Sequence, residues 1–508
     1  MSANNYVNIK INIKQGNICF TKVENDKGEN DAQSPFDIED NDNAANNIRV
    51  ELGIAKVFHK VLNLIKTERD LFQKEDFELL GEMLSKILFG KINNNADVRN
   101  YIMKDLEQTL EITKPTSRKI CRIFLEFDQK SGVAMLPWEY TLYKTRSTKE
   151  TTPIYISANI KNRFHLMRRV KENPTPAPES DRLFIMVLVN VDGNPDAEPK
   201  IDSRLNELSK IKATFQKLQG KYKNSLVVEF IESTPLNKIK QKVEDIYTNW
   251  ENQYQQQPCY VLHYLGHSML ENQVGKLVIK NSETGKPDWV EDKKFASLFR
   301  DDMLNIEQPS MVCLQACDSA KIGSFNENLR GVAYEFTKLN IPAVLGMQNE
   351  IDTQYSCAFF DRFYEIILNT KDVAEAVTAG RDYLGREFNI ETETYINNSF
   401  GSPVLFITTG EPITLLKAAT PPEGEEKVIE KKQEFVMNAK PSEMNNRASA
   451  QVKENENVAA SSASPVDEGE KLQRPAVNQD ESSKTTLGQK IIDGRDTLVP
   501  NLSSAQTD

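Results

Sequence analysis

The stretch RLFIMVLVNV, residues 182–191, carries one charge, at its first position, and is otherwise almost wholly apolar. A strand with one wet face would alternate polar and apolar residues. A nearly unbroken run reads instead as a strand buried on both faces, as in a parallel sheet covered by helices. Five more strand-like runs follow: SLVVEFIES (225–233), YVLHYL (260–265), MVCLQ (311–315), PAVLGM (342–347) and PVLFIT (403–408). Between the first of these, Leu205, Leu208, Ile211, Phe215 and Leu218 recur at helical spacing up to Gly220, and Ile239, Val243, Ile246 and Trp250 do so next. EDKKFASLF (291–299), NLRGVAYEFTKL (328–339) and two segments across 354–385 read as further helices, and GKLVIKNSETGKPDWV (275–290) as a hairpin. Strands alternating with helices predict an α/β fold with a doubly wound, mostly parallel sheet flanked by helices. Such sheets bind ligands at the carboxyl ends of their strands.

Upstream, YVNIKINIKQGNICFTKV (6–23) alternates around Gly16-Asn17 and reads as a hairpin. Residues 24–47 hold eight acids and one lysine, a solvated acidic loop. Amphipathic helices are predicted over 48–66 and from Lys74 to Gly90, the second lining up Phe77, Leu80, Leu84 and Ile87. A helix near 98–112, a strand KICRIFLEF (119–127) and the segment AMLPWEYTLY (134–143) complete this region. The breaker ENPTPAPES (172–180) separates it from the apolar run, which puts one subdomain at 1–175 and a second at 181–411. From Pro412 to Asp508 the chain turns to Glu, Lys, Ser, Ala, Asn and Pro, a tail too poor in apolar residues to order itself.

With 508 residues, 39% hydrophobic and 27% charged, the chain has room for two or three soluble domains. Its net charge of −11, with no basic stripe, argues against a nucleic-acid partner. No apolar run approaches bilayer length, and the opening MSANNYVNIKINIKQGN lacks the pattern of a secretory signal, so no membrane association is expected. Cys19, Cys121, Cys259, Cys313, Cys317 and Cys357 are scattered without disulfide-like spacing, and the expected location is a reducing cytoplasm.

Two strand ends carry chemistry. YVLHYLGHS ends in Gly266-His267-Ser268, and MVCLQAC ends in Cys317, fifty residues after the histidine. If both strands are parallel members of one sheet, the two residues share a cleft. The thiolate is the nucleophile and a free thiol is only slightly ionised at neutral pH, so a neighbouring imidazole must take the proton and return one to the leaving amine. The backbone N–H groups of Ser268 and Cys317 are candidates for stabilising the oxyanion. His263 and Cys313, each four residues earlier on its strand, read as packing residues, and no metal or other cofactor is expected.

A Gln-Ala-Cys stretch, here Gln315-Ala316-Cys317, with its histidine about fifty residues upstream, is the spacing of caspases. Together with LPWEYTLY (136–143), RLFIMVLVNVDG, VLHYLGHS, VCLQACDSA, NLRGVAYEFTKLNIPAVLG and FFDRFYEIIL followed by DVAEAVTAGRDYL, it makes the chain resemble the caspase-like CHAT proteases of clan CD, the group that also includes separase. The resemblance covers most of the chain up to about residue 410. It implies a degenerate caspase-like subdomain carrying LPWE, then an active one using a His267–Cys317 dyad to cleave a protein substrate. It also implies a bacterial defence or regulated-death setting and an activating partner protein. An inactive scaffold or partner-binding module is the alternative.

The chain departs from the family at two places. Ser268 stands where a glycine usually follows the histidine, and LGMQNEID (345–352) puts Gln348 near an expected tryptophan. In caspases the glutamine matching Gln315 and an arginine in this later loop hold a substrate aspartate, and no arginine is present here. Gln315, Asp318, Gln348 and Asp352 are therefore the candidate pocket residues. A carboxylate at Asp352 or Asp318 predicts cleavage after a basic residue, with the substrate strand pairing along the PAVLGM edge.

Overall fold

The computed structural model describes residues 6–14, 17–24, 29–30, 74–89, 120–127, 134, 136–143, 154–159, 164–170, 179–191, 204–325, 328–391, 394–409 and 413–417. All lie in the first of two compact units, Met1–Asn438; the second, Ala439–Asp508, falls outside the described residues. The helices expected at 48–66 and near 98–112, most of the acidic segment and the tail beyond 417 also fall outside them.

The first part contributes β1 (Tyr6–Lys14), β2 (Asn17–Glu24), β3 (Glu29–Asn30), helix α1 (Lys74–Phe89), β4 (Ile120–Phe127), the short pair β5 (Leu142–Tyr143) and β6 (Ile154–Tyr155), and β7 (Phe164–Arg169). Next come β8 (Leu183–Asn190), α2 (Arg204–Lys221), β9 (Leu226–Glu232), α3 (Leu236–Tyr254) and β10 (Tyr260–Gly266). A small sheet of β11 (Ser268–Glu271), β12 (Val274–Lys280) and β13 (Pro287–Glu291) follows, then α4 (Asp292–Ala296) and β14 (Met311–Gln315). The hairpin of β15 (Gly323–Phe325) and β16 (Asn328–Arg330), α5 (Val332–Thr337), β17 (Ala343–Met347), α6 (Thr353–Thr370), α7 (Val373–Gly385) and β18 (Pro403–Ile407) complete the described strands and α-helices.

Eleven strands form one sheet in the order β3-β2-β1-β4-β7-β18-β17-β14-β10-β8-β9. All neighbours are parallel except β1–β2, β2–β3 and β17–β18. The opening stretch shows why helices cover both faces. Leu183, Ile185, Val187 and Val189 enter one apolar core, while Phe184, Met186 and Leu188 enter the other. Side chains alternate across a strand, so a strand with no polar alternation needs two covers. Helices α2, α6 and α7 supply one cover, with Phe215, Phe360 and Tyr364. Helix α3 supplies part of the second, with Ile239, Val243 and Trp250.

Four expectations change. Leu205 sits in the first turn of α2 and is 55% exposed, whereas Leu208, Ile211, Phe215 and Leu218 are buried. The helix expected over 328–339 shortens to Val332–Thr337, because Asn328–Arg330 pair with Gly323–Phe325 and Gly331 takes φ +149°. PAVLGM is not an edge: β17 lies between β14 and the returning antiparallel β18, so its backbone has no free side for a substrate strand. The segment after Pro412 begins docked, with Ile413, Leu415 and Leu416 buried and the Ser180 N–H donating to the Leu415 carbonyl.

Candidate active site

Strands β10 and β14 are parallel neighbours, with Leu265 opposite Gln315. His267 and Cys317 each stand two residues beyond that pair, so the register brings them to one level at the carboxyl ends of adjacent strands. Such strands run about 4.8 Å apart. Their partners on the sheet, β8 and β17, end at the same edge. Cys317 is partly exposed, whereas Cys121, Cys259, Cys313 and Cys357 are buried. Burial pushes the Cys313 thiol up to about 12 and the Cys259 thiol up to about 11, which keeps both protonated and inert.

The histidine's end of the cleft is set by Gly266 and Tyr264. A Cβ at position 266 would lie 2.4 Å from the Tyr264 hydroxyl oxygen and 2.8 Å from the Asn190 carbonyl oxygen. Glycine lets the backbone close on that hydroxyl, whose single proton is shared between the carbonyls of Val278 (2.8 Å) and His267 (3.0 Å). The Val278 N–H donates to the His267 carbonyl at 3.0 Å, and Ser268 then faces Leu277 across β11–β12. Antiparallel pairs alternate between bonded and non-bonded, so the Ser268 N–H faces away from β12. The Ser268 hydroxyl donates to the Cys317 carbonyl.

The cysteine sits on a tight turn. Asp318 adopts φ +57°, a left-handed conformation that aspartate tolerates better than most side chains. Ser319 is fully buried: its hydroxyl donates to the Leu314 carbonyl (3.1 Å) and accepts from the Met347 N–H (2.9 Å). The Ala320 N–H donates to the Met347 carbonyl at 2.8 Å, and the Ala333 N–H to the Ser319 carbonyl at 2.9 Å. Ser319 was not singled out from the sequence; its only signal there is its place two residues after the cysteine.

The pocket candidates divide. Asp318 lies on the turn, nearly buried and ion-paired with Lys321 at 3.3 Å. Asp352 is exposed at the start of α6. Gln315 is fully buried beneath the turn: His263 Nε2 meets its Oε1 at 2.8 Å, and its Nε2 donates to Glu207 at 2.7 Å. His263 Nδ1 contacts the Tyr364 hydroxyl at 2.7 Å, and burial lowers this histidine to about 4, so it is neutral near pH 7. Gln348 faces the interior as well. Its Nε2 donates to Glu139 (2.9 Å) and to the Gly401 carbonyl (2.6 Å), and its Oε1 accepts from Arg168 (3.1 Å). The register thus brings His267 and Cys317, with Ser268 and Asp318 beside them, to the carboxyl ends of β10 and β14, while Gln315 and Gln348 are buried in the interior.

Among the described residues, no group of three or more His, Cys, Asp or Glu could hold a metal ion, and no helix is long and apolar enough to cross a membrane.

Two similar solved structures are crystal structures of the Saccharomyces cerevisiae separase–securin complex. One has 14% identity and a TM-score of 0.38, covering 82% of this chain and 30% of that one. The other has 13% identity and a TM-score of 0.37, covering 82% and 31%. The chain thus spans about a third of those proteins' length. The Drosophila initiator caspase Dronc is 10% identical, with a TM-score of 0.30, over 49% of this chain and 97% of its own. No curated protein matches the sequence. The CHAT domain family matches residues 95–391, more than half of the 508. The chain belongs to the CHAT domain family.

Proposed function

We propose that this chain is a cysteine endopeptidase in which His267 is the base and Cys317 the nucleophile. The observation that carries the reading is the register of β10 and β14, in which both residues stand two positions beyond the Leu265–Gln315 pair. The partial exposure of Cys317, against the burial of Cys121, Cys259, Cys313 and Cys357, supports it.

In this mechanism the His267 imidazole takes the Cys317 thiol proton, and the thiolate attacks the peptide carbonyl carbon. Negative charge on the carbonyl oxygen is met by the backbone N–H groups of Ser268 and Cys317. Collapse of the tetrahedral intermediate breaks the C–N bond, and the imidazolium gives its proton to the departing amine. Water, deprotonated by His267, then hydrolyses the thioester and restores the thiol.

Residues 181–411 form the catalytic part in this reading, and residues 1–175 a degenerate caspase-like support. Of the two candidate acids, Asp352 is exposed at the start of α6 whereas Asp318 is nearly buried on the turn, so Asp352 is the more accessible to a basic substrate residue. A partner protein raises this activity above the basal rate of the chain alone, in a bacterial defence or regulated-death setting, on the strength of the family resemblance. The test is cleavage of a mixed peptide library by the full chain and by Cys317→Ala. Cleavage lost in a variant that melts like the parent supports the reading; cleavage at the parent rate overturns it.

A further inference from the structure

The LPWEY segment lies in the first part of the chain, about 180 residues before the cysteine. Its Glu139 is 1% exposed and pairs with Arg168, whose Nε lies 3.0 Å and Nη2 2.6 Å from the two carboxylate oxygens. Arg168 also donates to the carbonyls of Ala134 (2.9 Å) and Leu136 (3.0 Å), which fixes the guanidinium in its plane. The Glu139 carboxylate and this guanidinium together hold both ends of the Gln348 amide. Gln348 directly follows Met347, and Met347 bonds the cysteine's turn twice, through the Ser319 hydroxyl and the Ala320 N–H.

We propose that Glu139 is a positioning residue for Cys317, acting through Gln348, Met347 and Ser319 on the turn that carries the thiol. The proposal rests on the dyad reading above. The path is short and buried at every side chain: Glu139, Gln348 and Ser319 are 1%, 7% and 0% exposed. Bonds of this kind, shielded from water, hold a geometry that solvent would otherwise compete for. A second role follows for the first part of the chain: it sets the position of the nucleophile's turn as well as completing the sheet. Glu139 also faces Arg381, which burial lowers to about 10 and the carboxylate holds up. Glu139→Gln would therefore leave two buried guanidiniums without their counter-charge and put folding at risk. Gln348→Met is the cleaner probe, because it keeps length and bulk and leaves the Glu139–Arg168 pair in place.

The experiment is a double-mutant cycle on the full chain. Iodoacetamide alkylation of Cys317 is followed by mass spectrometry across about pH 5–9, beside thermal melting, for the parent, Ser319→Ala, Gln348→Met and the double variant. Each single change should slow alkylation about tenfold, and the double variant should lose the same tenfold rather than a hundredfold, because both act on one path. Glu139→Gln, at a temperature where it stays folded, should give the same loss. If the losses multiply, or if Gln348→Met alkylates at the parent rate, the proposal is overturned while the dyad stands. A parent Cys317 that reacts no faster than free cysteine at every pH overturns the dyad reading, and the proposal with it.

Discussion

The Ser268 hydroxyl donates to the backbone carbonyl of Cys317, so the residue after His267 is bonded directly to the turn that carries the nucleophile candidate. A glycine at this position would supply the same backbone N–H without that tie. Ser268→Ala should lower kcat about fivefold, equivalent to about 1 kcal/mol for a lost hydrogen bond, with KM unchanged. Steady-state kinetics on a cleaved peptide check this. A rise in KM at constant kcat would mean that the hydroxyl touches substrate.

Gly266→Ala should distort the strand end, since its Cβ would fall 2.4 Å from the Tyr264 hydroxyl oxygen. That hydroxyl holds the His267 and Val278 carbonyls. Overpacking of this kind costs about 1–3 kcal/mol, and cleavage should fall by about tenfold or more. A variant that melts and cleaves like the parent would show that the backbone there yields easily.

His263 gives a pH signature. Its folded value, about 4, lies below the ordinary 6.5, so the unfolded chain takes up a proton that the folded chain does not. Its contribution is present in full above 6.5 and is lost as pH falls from 6.5 towards 4. The melting temperature should drop across that window, and His263→Gln should remove this part of the drop. Equal slopes for parent and variant would contradict the burial argument.

How much of this was legible beforehand depends on the range of the interaction. Strands β8, β10, β14, β17 and β18 announce themselves as apolar runs because burial on both faces leaves no polar alternation. The pairing of Leu265 with Gln315 follows once both strands are placed in one sheet. Gln348 could not be read this way. Its partners Glu139 and Arg168 lie 209 and 180 residues away, and a glutamine in a loop carries no local sign that it will be buried. The PAVLGM strand looked like an edge for a related reason: only the return of Pro403–Ile407 beside it closes that side.

Substrate preference separates the two carboxylates. Asp352→Asn should reduce cleavage after lysine and arginine more than Asp318→Asn does, because Asp352 is exposed to an incoming side chain whereas Asp318 is nearly buried on the turn. Profiles from a mixed peptide library, one per variant, decide it. A parent profile dominated by aspartate or by large apolar residues would contradict the preference.

The dyad is tested most directly by a peptidyl chloromethyl ketone ending in lysine, incubated with the full chain, the label being mapped by mass spectrometry. The warhead alkylates a thiolate that a neighbouring imidazole has activated while the peptide part sits in the substrate cleft. A single label on Cys317, abolished in Cys317→Ala and slowed about a hundredfold or more in His267→Ala, is the predicted result. Label spread over several cysteines, or on Cys317 at the same rate without His267, would contradict it.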